Sequence, residues 1–184
     1  WYGENQYNGP RGIMLDIRGA LNKLNEELEK VGFNTTIYIC GGAELILLGF
    51  DSRSTRDIDT IIESMEDPLY SCVLEVSKKL NLKGFWLNNQ VSPLGKKLPK
   101  GWKKNCSVLF SKSHLKVMGI SRQNLISTKM AALINRSSNQ DEIDINWLKP
   151  TKSEFSIAKK YIISNYEDPI VVVVFDAFVK EYFK

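Results

Sequence analysis

The feature that most narrows the fold of this chain is a short apolar run, Thr36-Ile37-Tyr38-Ile39-Cys40, cut by Gly41-Gly42 and followed downstream by Asp57-Ile58-Asp59. The β-branched and aromatic residues of the run predict a short buried strand. Gly-Gly breaks it, and Ala43 to Leu48 resumes as a helix that Gly49 can close. A second strand is predicted from Asp57 to Ile62. There Asp57 and Asp59, two residues apart, direct both carboxylates to one face while Ile58 turns into the core. Two convergent carboxylates form an oxygen-rich site suited to Mg²⁺, which takes one or two protein carboxylates together with substrate phosphates. Gly41-Gly42 supplies a complement: backbone N–H groups exposed at a helix start, with no Cβ to hinder a phosphate. Arg53 and Arg56 add guanidinium groups near the start of the same strand. Taken singly, a Gly-Gly is a common strand-to-helix turn and an Asp-x-Asp a common solvated strand edge. Their order along the chain is the specific signal.

The rest of the chain reads as helices and strands around this segment. Ile13, Ile17, Leu21, Leu24, Leu28 and Val31 recur at three- and four-residue steps, predicting an amphipathic helix between Arg11 and Gly32. Asp67-Pro68 marks a helix start, with Asp67 as N-cap and the helix running to about Leu80. Phe85-Trp86-Leu87 suits a short strand, residues 89–104 a loop, and Ser107 to Phe110 and Leu115 to Gly119 two strands around a turn. Beyond Ser121 the pattern is helical. One helix is capped by Ser121 and runs to about Arg136, and a second covers Asp141 to Leu148. A third opens with the capping box Thr151-Lys152-Ser153-Glu154, and a fourth starts at Asp168-Pro169. The expected class is α+β: a mixed sheet flanked by helices over residues 1–120, with a helical C-terminal subdomain over 121–184.

Composition excludes several classes of protein. The 184 residues, 43% apolar and 25% charged, suffice for a core without disulfide or metal staples. Cys40, Cys72 and Cys106 are odd in number and widely spaced, and His114 is the only histidine. That pattern predicts free thiols in a reducing compartment and argues against zinc or a Cys–His pair. No apolar run approaches the roughly 18 residues of a membrane span, and Trp1 to Asn5 lacks the features of a signal peptide. A cytoplasmic location off the membrane is therefore expected. The net charge of +4 is mild, but Lys96, Lys97, Lys100, Lys103 and Lys104 crowd one stretch without an intervening acid. With Phe85, Trp86 and Trp102 as stacking surfaces, these lysines predict a loop able to track an RNA backbone. The plainer alternative is a solvated loop.

The Gly-Gly and Asp-x-Asp elements together resemble the signature of the DNA polymerase β-like nucleotidyltransferase superfamily. More closely, Ile39-Cys40-Gly41-Gly42-Ala43-Glu44-Leu45 with Arg53 to Asp59 resembles bacterial families of the AbiEii toxin type. Trp86-Leu87-Asn88 and the segment carrying Lys129, Ala132, Arg136, Asp141 and Asp144 resemble further elements of those proteins. The resemblance implies a nucleotidyltransferase-type sheet, with Asp57 and Asp59 holding Mg²⁺ or Mn²⁺. It also implies Gly41 and Gly42 at the phosphates, Lys129 on the triphosphate, and Asp141 as a further essential acid. Many members place a phosphate-contacting serine where Ala43 or Gly42 stands here, and the strand Leu115-Lys116-Val117 presents Lys116 where they carry a third acid.

The reaction implied is transfer of a nucleoside monophosphate from an NTP to a hydroxyl acceptor. The 3′ end of tRNA is the acceptor in the resembled setting, that of a toxin–antitoxin or phage-defence system with a cognate antitoxin. Two alternatives stand beside it. One is a catalytically degenerate fold that binds a nucleotide or a partner protein. The other is a small-molecule adenylyltransferase of the antibiotic-resistance kind.

Overall fold

Alternation along one strand sets the layers of the structure. In β1 (Thr35–Cys40), Ile37 and Ile39 are fully buried on one side, while Tyr38 and Cys40 take the other. The computed structural model describes residues 14–136 and 138–184. The expected helix start at Arg11 and Ile13 and the Trp1 to Asn5 segment lie outside these residues. β1 is the centre of a five-stranded sheet with β2 (Ile58–Thr60), β3 (Leu87–Asn88), β4 (Ser107–Ser111) and β5 (Leu115–Gly119), in the order β3-β2-β1-β5-β4. β1 runs parallel to β5 and antiparallel to β2, so the sheet is mixed as expected.

The Ile37/Ile39 face is completed by Ile58, Leu87, Leu115 and Val117. It packs on α1 (Ile17–Lys30) and α3 (Leu69–Lys79) through Leu21, Leu24, Leu28, Val73 and Val76. Asp16 caps α1, its carboxylate accepting from the Gly19 N–H at 3.0 Å. Asp67 accepts from the Ser71 N–H at 3.1 Å at the start of α3. The Tyr38/Cys40 face, with Ile61 and Ile120, receives the C-terminal helices α5 (Arg122–Arg136), α6 (Asn139–Leu148), α7 (Lys152–Asn165) and α8 (Ile170–Tyr182). Ile126, Met130, Ile145, Phe155 and Phe175 form that second core. The capping box of α7 is present: Thr151 Oγ1 accepts from the Glu154 N–H and Glu154 Oε2 from the Thr151 N–H.

Three local expectations are corrected. β2 spans three residues, not Asp57 to Ile62, because its outer neighbour β3 offers only two to pair with. β3 begins at Leu87, just after the Trp86 carbonyl accepts from the Ile58 N–H, and the Trp86 side chain lies in the core, where its Nε1–H donates to the Val73 carbonyl at 3.1 Å. The expected loop over 89–104 contains a helical turn, α4 (Leu94–Lys97), and a 3₁₀ turn at Trp102–Asn105, and it buries Leu98 and Trp102. Trp86 and Trp102 are therefore core residues and offer no ring to a nucleic acid; Phe85 alone of the three is exposed.

Between the two cores lies α2 (Gly42–Leu47), and on it Glu44 is buried with Oε2 unpartnered. Its Oε1 lies against Gly119, where a Cβ would stand only 2.6 Å away. Burial pushes this carboxyl well above its ordinary range, partly offset by the charge of Lys129. The folded state therefore binds this proton more tightly than the unfolded chain, whose glutamates titrate near about 4.3. Stability contributed by Glu44 should fall as pH rises above about 4.3, until the raised native value is passed. Glu44→Gln keeps the shape without the proton. Denaturation midpoints measured from pH 4 upward should show the native protein losing ground to this variant.

Candidate functional site

A cleft of about 730 Å³ opens where the end of β1, the start of β2, α4 and α5–α6 meet. Gly41, Gly42, Arg53, Asp57, Asp59, Lys129, Arg136 and Asp141 all line it. The turn after Cys40 depends on Gly41, whose φ of 77° and ψ of −141° suit no residue with a side chain. A Cβ on Gly42 would stand 2.9 Å from Arg53 Nη2, so this glycine makes room for the guanidinium. Since α2 has only six residues, its macrodipole is small. The turn's contribution is its backbone N–H groups and its lack of bulk.

The two aspartates reach the cleft as their spacing predicts. Asp59 pairs in register with Cys40, which places it on the face of the C-terminal helices, and Ile58 between the two acids is fully buried. Thr55 Oγ1 lies 3.3 Å from Asp57 Oδ1. Burial, and then the charge of Asp57, push the Asp59 carboxyl above its ordinary value, with Asn88 opposing the shift. Two carboxylates held against their mutual repulsion form the donor set that a hard divalent cation satisfies, so the residues present fit Mg²⁺ or Mn²⁺.

The opposite wall is cationic and tightly organised. Lys129 is buried on α5, its Nζ 3.0 Å from Asp141 Oδ1 and 2.5 Å from Asp144 Oδ2. Asp144 Oδ1 accepts from Arg53 Nε at 3.0 Å and from Gln140 Nε2 at 3.1 Å. Arg136 approaches Asp141 Oδ2 at 3.6 Å. Asp141 and Asp144, three residues apart on α6, share a helix face and so bind the same lysine. Asp144 is the residue the sequence undervalued. Its spacing from Asp141 was visible, but its bond to Arg53, which lies beyond α2, was not.

Other expected residues fall elsewhere. Arg56 is exposed and outside the cleft, because Thr55 and Asp57 on either side of it take the inward positions. Of the five lysines, only Lys97 lines the cleft; Lys96, Lys100, Lys103 and Lys104 are exposed outside it. Lys103 stands over the Tyr38 ring, 5.1 Å from its centroid. Lys116 does not occupy the third-acid position either. It pairs with Thr36 at the far end of β1, and the residues nearer the site that share a face with Tyr38 and Cys40 are Met118 of β5 and Ile120 just after it. Among the described residues, no group of three or more His, Cys, Asp or Glu is arranged to hold a metal. Also among them, no helix is long and apolar enough to cross a membrane. Leu94 and Tyr166 line the cleft without having been anticipated.

A mixed sheet whose central strand ends in Gly-Gly beside an antiparallel Asp-x-Asp strand, with helices on both faces, is a nucleotidyltransferase-type fold. Residues 19–153 match the profile of a family described as "Nucleotidyltransferase of unknown function (DUF6036)". The match covers most of the chain, and the protein belongs to that family. Comparison with curated proteins and with solved structures finds no match.

Removing Asp144 leaves Arg53 and Lys129 with one carboxylate fewer in a buried setting. Asp144→Ala should therefore destabilise the fold by about 3–5 kcal/mol, the scale for breaking a buried pair from one side. Urea unfolding measures this, and exposed Asp176, paired at the surface with Lys159, should cost less than about 1 kcal/mol when replaced by Ala.

Proposed function

We propose that this protein transfers a nucleoside monophosphate from an NTP to a hydroxyl acceptor. The observation that carries this reading is the convergence of Asp57 and Asp59 on one cleft, facing the Arg53–Asp144–Lys129 cluster. An oxygen-ligand site and an anchored cationic wall, on either side of a glycine turn, are what a metal-bound triphosphate needs. Asp57 and Asp59 would hold Mg²⁺ or Mn²⁺, which when bound neutralises phosphate charge. Arg53 and Lys129 would hold the β- and γ-phosphates, with their geometry set by Asp141 and Asp144. In the transfer, the acceptor hydroxyl gives its proton to water, its oxygen bonds to the α-phosphorus as the bridge to the β-phosphate breaks, and pyrophosphate leaves.

The acceptor follows from resemblance alone. The likeness of residues 39–59 and 129–144 to AbiEii-type proteins supports the 3′ end of tRNA, in a toxin–antitoxin or phage-defence setting with a cognate antitoxin. A second reading has its own support. Met118 of β5 and Ile120 just after it, on the sheet face of Cys40 and Asp59, carry no third carboxylate, as a fold that binds a nucleotide without transferring it would not need one.

Incubation with each labelled NTP, Mg²⁺ and total RNA separates the two. The first reading expects label on RNA and release of pyrophosphate. NTP binding without transfer to RNA, protein or small molecule would establish the second. Asp57→Asn and Asp59→Asn should each lower Mg²⁺-dependent transfer by about 100-fold or more, the scale for losing a preorganised electrostatic contact. Their unfolding transitions should stay close to that of the native protein. Full activity in the double variant would refute the metal role.

A further inference from the structure

The cleft has a second end that the phosphate assignment leaves unused. Among the described residues, Tyr166 is the only aromatic side chain lining it, and it comes from the far C-terminal end of α7. The helix stops there: Tyr166 leaves it with φ −135° and ψ 126°, its N–H still donating to the Ile162 carbonyl. The neighbouring Asn165 pins this end, donating from Nδ2 to the Tyr161 carbonyl at 2.9 Å and to the Lys97 carbonyl of α4 at 3.4 Å. Lys97 Nζ in turn stands 4.8 Å from the centroid of the Tyr166 ring. Leu94 and Val91 add apolar surface to the same wall.

We infer that Tyr166, backed by α4, is the surface on which the nucleobase of the bound nucleotide stacks, with Lys97 beside it. The inference rests on the nucleotide reading of this cleft. The cations of the opposite wall are engaged by carboxylates: Arg53 by Asp144, Lys129 by both acids, Arg136 by Asp141. Lys97 has no carboxylate partner among the described residues. A nucleobase presents a flat π-face and needs an apolar or aromatic plane, which the Asp57/Asp59 side does not offer. Stacking accepts every base, so Tyr166 contributes affinity for nucleosides as a class, without choosing among them. Lys97 thereby moves from the lysine-rich stretch into the nucleotide site, and the other four lysines stay outside it.

The test compares two ligands by calorimetric titration with Mg²⁺: each NTP, and inorganic tripolyphosphate, which has the phosphates without the base. In Tyr166→Ala and Tyr166→Leu, NTP affinity should drop at least about fivefold, the low end for a lost base–aromatic stack. Tripolyphosphate affinity should hold, and Tyr166→Phe should bind both ligands as the native protein does. The Leu variant keeps apolar bulk at the helix end and guards against misfolding in the Ala variant. Unchanged NTP affinity in both variants would overturn the inference, as would equal weakening of the two ligands in both. A native protein that binds tripolyphosphate no more weakly than any NTP would also overturn it, leaving the phosphate site intact. If the native protein binds neither ligand, the nucleotide reading itself fails, and the inference with it.

Discussion

The arrangement of the site depends on one buried carboxylate. Asp144, fully enclosed on α6, is bonded at the same time to Arg53 from the loop after α2 and to Lys129 from α5. The sheet contributes one of these cations and the helical tail the other. A charge in such a place is costly unless it is paired and hydrogen-bonded. The two halves therefore dock in the register that lets Asp144 meet both partners. The gain lies less in net stability than in a single arrangement of Arg53 and Lys129 along the cleft wall.

A glycine turn makes that arrangement accessible. Gly41 carries the chain out of β1 through a backbone conformation closed to other residues, and Gly42 leaves space for the Arg53 guanidinium. With α2 so short, the turn works through close approach and exposed N–H groups, not through a long helix dipole. Across it, Asp59 is fixed by its register with Cys40 and crowded by Asp57, which keeps the acid wall in electrostatic tension. The cleft thus opposes an under-neutralised pair of carboxylates to a neutralised cluster of cations.

Local rules made much of this legible. The period-two spacing of Asp57 and Asp59 around Ile58, the Gly-Gly turn, the capping box at Thr151 and the four C-terminal helices all follow from backbone geometry within a few residues. Most of the readings that failed needed knowledge of distant neighbours. Trp86 and Trp102 are aromatic and lie near lysines in the chain, yet both are core residues. Lys116 lies at the far end of its strand from the site, whereas Arg56 falls outside the cleft for a local reason, the alternation that gives the inward positions to Thr55 and Asp57.

By itself, then, the sequence determined the main helices, the central strand and the shared face of Asp57 and Asp59, because these depend on hydrogen bonding and side-chain alternation inside one element. It also determined membership of a nucleotidyltransferase family, through residues 19–153. Only the tertiary structure decided which charges meet. Arg53 and Asp144 are 91 residues apart in the chain and 3.0 Å apart in space, and Tyr166 lines the cleft from the end of α7, where Asn165 bonds to the Lys97 carbonyl of α4. Contacts of that span are set by how two cores pack on opposite faces of one sheet, a property that no local pattern of residues encodes.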